Sequence, residues 1–181
     1  QDVDIYDFCR RAIIYASSRT MVKTSLSEEM LGHMADFEDK FMRGLNLGEF
    51  RQAYFAEGHY LDTKQAMFDH LAEVVTSREN RDNKVPEDNL DLVLQQRADD
   101  GDNYSFDERL YDAYLLLVAG SENNTKLITW IIQYLSQSPE WEAELLEELS
   151  DWAPEAFLSG MRDFPKLQAT ILEGERLKPG A

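Results

Sequence analysis

Apolar residues recur at helical spacing along nearly the whole chain. One apolar face spans positions 4–21, a second follows Ser27, which stands where a helix N-cap is expected, and a third spans positions 62–77. These faces consist of Ile5, Phe8, Ala12 and Tyr15, then Met30, Met34, Phe37 and Phe41, then Met67, Phe68, Leu71 and Val74. Because no segment alternates convincingly between apolar and polar residues, we predict an all-α fold.

The longest helical pattern begins at Ser105 and runs to about Ser136. Glu108, three residues after Ser105, completes a capping box. The pattern corresponds to about 48 Å of α-helix. Its apolar residues surround the helix axis instead of forming a single stripe, which is typical of a helix that is buried on nearly all sides. We therefore expect this long helix to cross the middle of a larger domain.

Small and polar residues interrupt the centre of this long helix. The interruption reads Ala119-Gly120-Ser121-Glu122-Asn123-Asn124. Glycine inside a helix costs about 1 kcal/mol relative to alanine, and unpaired buried polar groups cost more. One explanation is a gap for a flat cofactor and a small ligand, beside polar groups that hold water or relay protons. The other is a helix crossing at Gly120 with an internally satisfied polar cluster.

Two further helices are predicted downstream. Ser138-Pro139-Glu140 places a proline at the first helical position and acids in the first turn, which is typical of a helix start. The last helix begins near Pro165 and contains Glu173 and Arg176, which stand three positions apart on one face.

The motifs at 119–124 and 164–179 together resemble the cytochrome P450 family. The first is similar to the family's long-helix motif, Ala/Gly-Gly-x-Asp/Glu-Thr-Thr/Ser, and the second to its Glu-x-x-Arg helix with a Leu-x-Pro exit. Residues 89–181 match the family's order and spacing, and residues 1–88 are compatible with its preceding helices. The resemblance implies one incomplete helical domain over 1–181, with leading helices in 1–88 and the long central helix through the Glu-x-x-Arg helix in 89–181.

The resemblance implies a haem-thiolate monooxygenase that oxidises a lipophilic small molecule and receives electrons from a partner protein. The full-length family member would bind haem b through a cysteine thiolate, which favours cleavage of the O–O bond. Ala119 and Gly120 would lie against this cofactor. Glu122 and Asn123 would be the catalytic residues, in the positions of the acid–alcohol pair that delivers protons.

The resemblance also implies roles for two further pairs of residues. Leu115 and Leu116, one turn before the motif, would face the substrate pocket. Glu173 and Arg176 would form a buried structural ion pair with a further arginine downstream. Breaking one partner of such a pair is costly, because a buried charge is left unpaired.

The sequence also departs from the family pattern. Asn123 stands where the family usually has threonine, and an amide is a poor proton relay. The haem-ligand motif, Phe-x-x-Gly-x-Arg-x-Cys-x-Gly, does not occur, and Cys9 lies in a helical setting without the glycines, as a small buried thiol would. We therefore expect no haem or other metal to be held by this chain alone. A haem-free, non-catalytic relative that serves in a protein assembly stays an alternative, as does an unrelated helical bundle.

The charge of the chain limits the classes of partner that it is expected to bind. With 35 acidic against 18 basic residues, the formal net charge is −17, so a phosphate backbone would be repelled and nucleic-acid binding is not expected. The sequence has no signal-peptide pattern and no apolar run of the roughly 20 residues that span a bilayer. We predict a soluble segment and leave the localisation open, since a membrane anchor would lie upstream of Gln1.

Overall fold

The computed structural model describes residues 2–81, 85–99, 105–150, 152 and 163–178. Within these ranges every regular element is a helix, which confirms the all-α prediction. In chain order the elements are α1 (Ile5–Met21), α2 (Glu28–Leu45), a 3-10 turn (Gly48–Phe50), α3 (Arg51–Phe55), α4 (Gly58–Glu79), α5 (Asn89–Asp99), α6 (Phe106–Val118), α7 (Ser121–Ser136), α8 (Pro139–Glu148) and α9 (Pro165–Leu177). No helix in the described ranges has the length and apolarity needed to cross a bilayer.

Side chains fix several of the helix starts. The hydroxyl of Ser27 accepts a hydrogen bond from the amide of Met30 at 3.1 Å. Ser105 and Glu108 form the predicted capping box, in which the Ser105 amide donates to the Glu108 carboxylate at 2.8 Å. Pro139 occupies the first turn of α8, where its missing N–H costs nothing. These starts confirm the boundaries predicted from the capping patterns.

The chain divides by its contacts into two compact units, Arg10–Glu122 and Gln1–Cys9 with Asn123–Ala181. In the first unit α2 packs on α4, and α4 and α5 both pack on α6. Phe37 of α2 lies at the centre of this packing, with its ring 5.5 Å from that of Tyr60 on α4 and 5.5 Å from that of Tyr114 on α6. The buried residues Met34, Met67, Leu71 and Leu117 belong to the same core. The apolar faces predicted for α2 and α4 therefore form the core. The face predicted for α1 was wrong, because Ile5, Phe8, Ala12 and Tyr15 are exposed and α1 buries Cys9, Ile14 and Ser18 instead.

The second unit joins α8 to α9 through side-chain hydrogen bonds. The carboxylate of Glu148, at the end of α8, accepts the amides of Lys166 at 2.9 Å and Leu167 at 2.8 Å. The indole N–H of Trp141 donates to the Thr170 hydroxyl at 2.9 Å. Both contacts tie α9 to α8, and the Glu148 carboxylate satisfies backbone donors that the first turn of α9 leaves free.

The predicted long helix over 105–136 is two helices in the structure. Ala119 and Gly120 form a turn between α6 and α7. The amide of Ala119 still bonds to the carbonyl of Leu115 at 2.9 Å, and the hydroxyl of Ser121 lies 3.0 Å from the carbonyl of Val118. The Ser121 hydroxyl therefore lies within hydrogen-bond distance of the Val118 carbonyl at the point where the helix is interrupted. A glycine at such a point makes the interruption of a helix easier.

Burial along α7 also differs from the prediction. Ser121 and Thr125 are its buried residues, whereas Asn123 and Asn124 are exposed and the stretch 126–131 is half-buried. The apolar surface around the helix is thus only partly covered within this chain. The helical turns over 48–55 were not predicted. The sequence Asp99-Asp100-Gly101-Asp102-Asn103 is typical of a turn, and positions 100–104 lie outside the described residues.

Candidate functional site

The break between α6 and α7 presents a small, partly apolar surface. Ala119 and Gly120 are exposed, Leu116 is half-buried and Leu115 is 53% exposed. Leu115 exposes its methyl groups, and Ala119 and Gly120 expose their backbone because their side chains are minimal. The first unit therefore brings the predicted cofactor-lining and substrate-lining residues to adjacent positions.

A buried carboxyl group from another helix contacts this break. Glu38 of α2 is only 3% exposed, and its Oε1 is hydrogen-bonded to the hydroxyl of Ser121, the first residue of α7. Its other oxygen, Oε2, is buried and has no hydrogen-bond partner among the residues that the structure describes. Burial of a carboxylate is costly unless it is paired, so this site favours the neutral acid.

The electrostatics at Glu38 follow from its burial. Desolvation raises the pKa of Glu38, and the negative charge of Glu122 raises this pKa further. The Ser121 hydrogen bond and the positive charge of Arg10 act in the opposite direction and do not cancel the increase. Burial, together with the nearby charge of Glu38, also raises the pKa of Tyr114.

The sequence contains a signal for Glu38 that our pattern analysis missed. Glu38 follows Met34 by four positions and Phe37 by one, so it falls on the apolar face of α2. An acid on such a face indicates a buried polar contact. Its partner, Ser121, is 83 positions away along the chain, which no local pattern reveals.

The two predicted catalytic residues are consecutive on the first turn of α7. Glu122 is partly exposed and Asn123 is exposed. A carboxylate in the first turn interacts favourably with the helix dipole. Glu122 and Asn123 lie two and three positions after Gly120 in the chain. Their catalytic roles stay predictions.

Glu173 and Arg176 form a bidentate pair on α9. Nε of Arg176 donates to Oε2 of Glu173 and Nη2 donates to Oε1, each at 2.7 Å. The Arg176 guanidinium lowers the pKa of Glu173 through these hydrogen bonds. Both side chains are exposed, which differs from the expected buried pair.

Comparison with known proteins decides the family. The family model described as Cytochrome P450 matches residues 4–181. This chain belongs to the cytochrome P450 family. The match excludes the unrelated helical bundle that the sequence alone left open.

Individual P450 proteins that match the chain are about 30% identical to it over the aligned residues. Pentalenene oxygenase of Streptomyces avermitilis is 27% identical over 98% of the chain and 40% of the relative. Human Cytochrome P450 2U1 is 30% identical over 55% of the chain, and the chicken Steroid 17-alpha-hydroxylase/17,20 lyase is 32% identical over 51%, each match covering 20% of the relative. The chain thus spans at most 40% of the length of these relatives.

A P450 haem needs residues that line its face and a residue that ligates its iron, and the break fits the first of these two roles. The accessible surface at Ala119 and Gly120, next to Leu115, fits the face of a flat apolar group. Cys9 does not fit the role of the thiolate ligand, because it is 3% exposed and lies inside α1. In the described ranges, His, Cys, Asp and Glu side chains form no group that could hold a metal ion. The described residues therefore fit a lining role and not a ligating one.

Proposed function

We propose that this chain is the central helical part of a haem-thiolate monooxygenase that oxidises a lipophilic small molecule. The main support is the P450 family match over residues 4–181, which includes the motif at the α6–α7 break. The printed names of two relatives, an oxygenase and a hydroxylase, agree with oxidation of organic substrates. An electron-transfer partner follows from the same proposal.

The residues at the break have lining roles in this proposal. Haem b, when bound through a thiolate, supplies oxygen activation. Ala119 and Gly120 would let the flat group approach the helix backbone, since neither has a side chain beyond Cβ. Leu115 and Leu116 would contact the lipophilic substrate. The exposure of Leu115 supports this assignment, because an apolar side chain left in water gains free energy when a ligand covers it.

Glu122 and Asn123 would control protons at the same place. The carboxylate of Glu122 can accept and release a proton. The amide of Asn123 can only orient water or a bound ligand through hydrogen bonds. Proton delivery would therefore depend on Glu122 and ordered water, with Asn123 as the orienting residue. Glu173 and Arg176 would be structural.

The proposal can be tested on the product of the complete reading frame that contains this chain. Its intact mass shows the length of the natural protein, and its reduced carbon-monoxide spectrum reports a thiolate-bound haem. We expect the thiolate spectrum, and we expect Gly120→Phe to weaken haem binding by blocking the break. Gly58→Ala is the matched control, because nothing lies within 4 Å of a Cβ atom at Gly58.

The opposite result would support the alternative assignment. A natural product that lacks the thiolate spectrum and oxidises no added lipophilic compound would refute the monooxygenase proposal. It would favour a haem-free P450-like protein that serves in a protein assembly.

A further inference from the structure

The hydroxyl of Ser121 has two acceptors and a single proton to donate. It is hydrogen-bonded to Oε1 of Glu38 and lies 3.0 Å from the carbonyl oxygen of Val118. If Glu38 were ionised, both neighbours would compete for that proton. If Glu38 is protonated, its O–H donates to Ser121 and the Ser121 O–H donates to Val118. Only the protonated form gives each of these two contacts a proton of its own.

We propose that Glu38 is a positioning residue held as a neutral acid, which fixes the α6–α7 break through the relay Glu38 to Ser121 to Val118. The inference concerns a residue on α2, outside the P450 motifs. It deepens the proposed function, because Ser121 directly precedes Glu122. A relay that anchors Ser121 also anchors the turn from which Glu122 projects.

The charged and titratable neighbours are consistent with a neutral Glu38. Glu122 on α7 adds negative charge, and the phenols of Tyr114 on α6 and Tyr60 on α4 belong to the same core. Arg10 on α1 is the opposing cation, and it also lies 3.6 Å from Asp39. Desolvation is the largest influence on the pKa of Glu38, ahead of the Ser121 hydrogen bond and the attraction to Arg10, which both lower it. Burial therefore outweighs these two opposing influences.

A neutral Glu38 also affects Glu122. Two ionised carboxylates at one partly buried place repel each other, and one of them takes up a proton more readily. With the proton on Glu38, that repulsion between Glu38 and Glu122 is absent. The relay would thus leave Glu122 as the carboxylate available for proton delivery.

The first experiment observes the protonation state directly. We would record carboxyl ¹³C shifts of the 181-residue chain labelled at glutamate, and assign Glu38 with Glu38→Gln. We expect the Glu38 signal to stay at the protonated position at pH 7. The matched variant Glu73→Gln, at an exposed position on α4, should leave the Glu38 signal unchanged.

The second experiment follows stability against pH. A carboxyl whose pKa is higher in the folded chain binds more protons when folded, so stability falls as pH rises from its ordinary value of 4.5 toward the folded value. Glutamine cannot titrate and keeps an N–H donor for Ser121. The folding equilibrium constant of Glu38→Gln relative to wild type should therefore rise several-fold across that window. The ratio for Glu73→Gln should stay flat there.

A third measurement separates positioning from simple burial. The carbonyl ¹³C shift of Val118 should be the same in wild type and Glu38→Gln, and should change in Ser121→Ala. Glu38→Leu, which fills the space without a donor, should weaken the folded state where Glu38→Gln does not.

An ionised Glu38 signal at pH 7, or a Val118 shift that changes in Glu38→Gln, would overturn the proposal. These measurements use neither haem nor turnover. A failed relay therefore leaves the monooxygenase proposal standing, and a failed monooxygenase proposal leaves the relay standing.

Discussion

Gly174 of α9 lies directly against Ile131 of α7 in the second unit. A Cβ atom at Gly174 would be 2.7 Å from Cγ1 and 3.1 Å from Cδ1 of Ile131, and 3.2 Å from Cδ1 of Leu127. The first distance is too short for van der Waals contact between carbon atoms. The second residue of the Glu-x-x-Arg motif, Gly174, has no side chain. This is why α9 can approach α7 so closely.

Substituting Gly174 with alanine should destabilise the chain. Overpacking costs about 1–3 kcal/mol, and the better helix propensity of alanine returns about 1 kcal/mol. We expect the free energy of unfolding to fall by up to about 2 kcal/mol in denaturant titration. Gly58→Ala, with open space around its Cβ position, should not reproduce the loss. In an Ile131→Ala background Gly174→Ala should become neutral or stabilising, and an equal loss in both backgrounds would show that this contact is not the cause.

Arg78 provides a second prediction in the first unit. Its guanidinium lies 2.8 Å from Oδ2 of Asp88 and 3.5 Å from Oδ1 of Asp91, and it is almost fully buried with Asp88. Removing one partner leaves a buried charge uncompensated, which costs about 3–5 kcal/mol. We expect Arg78→Ala to lower the free energy of unfolding by that amount in thermal or denaturant unfolding.

Arg81 is the matched control for Arg78. It pairs with the same Asp91 at 3.2 Å but is about one-third exposed. Solvent screening makes such a pair worth about 1 kcal/mol or less. Equal losses for Arg78→Ala and Arg81→Ala would contradict the assignment of the stability to burial.

Local patterns predicted the helix starts and the core faces of α2 and α4, but not the core face of α1, whose predicted residues are exposed. Ser27, Ser105 and Pro139 act on backbone groups within three or four residues, so their effect is visible in the sequence. The apolar spacing of α2 and α4 placed their buried faces correctly, since one periodicity determines one face. These features depend on neighbours in the chain.

Features that depend on tertiary contacts could not be predicted from the sequence pattern. The burial of Glu38 depends on its contact with Ser121 on another helix, and the exposure of Asn123 depends on what covers α7. Gly120 was expected to mark either a gap for a cofactor or a helix crossing within one continuous helix, whereas the structure interrupts the helix itself. Glycine permits either outcome, and the side-chain contacts of Ser121 favour the interruption.

Glu148 gives a prediction for the start of α9. Its two oxygens accept the amides of Lys166 and Leu167, at 2.9 and 2.8 Å. Loss of a capping side chain costs about 0.5–2 kcal/mol. Glu148→Ala should lower the free energy of unfolding by about 1–2 kcal/mol, with faster amide exchange in the first turn of α9. Exposed Glu147 is the control, and a comparable effect of Glu147→Ala would show that helix propensity or net charge is responsible.

The Glu173–Arg176 pair predicts a pH effect of known sign. Hydrogen bonds from Arg176 lower the pKa of Glu173, so the pair contributes stability above the ordinary value of 4.5 and loses it as pH falls through the folded value. Arg176→Gln should return the pKa of Glu173 toward 4.5 in a carboxyl ¹³C titration. Because both side chains are exposed, we expect little change in overall stability. An unchanged Glu173 titration in Arg176→Gln would show that the pair does not form in solution.

Asn123 gives the prediction that bears most directly on the proposed activity. A threonine hydroxyl both donates and accepts a hydrogen bond with one exchangeable proton, whereas an amide does not relay protons readily. In the product of the complete reading frame, Asn123→Thr should raise the product formed per electron consumed several-fold, because proton delivery would compete better with wasteful reduction of oxygen. Asn124→Thr is the matched control, since it makes the same change one position away and is not expected to alter the ratio. An unchanged ratio in Asn123→Thr would refute a role of position 123 in proton delivery, and an equal rise in both variants would assign the gain to the helix turn as a whole.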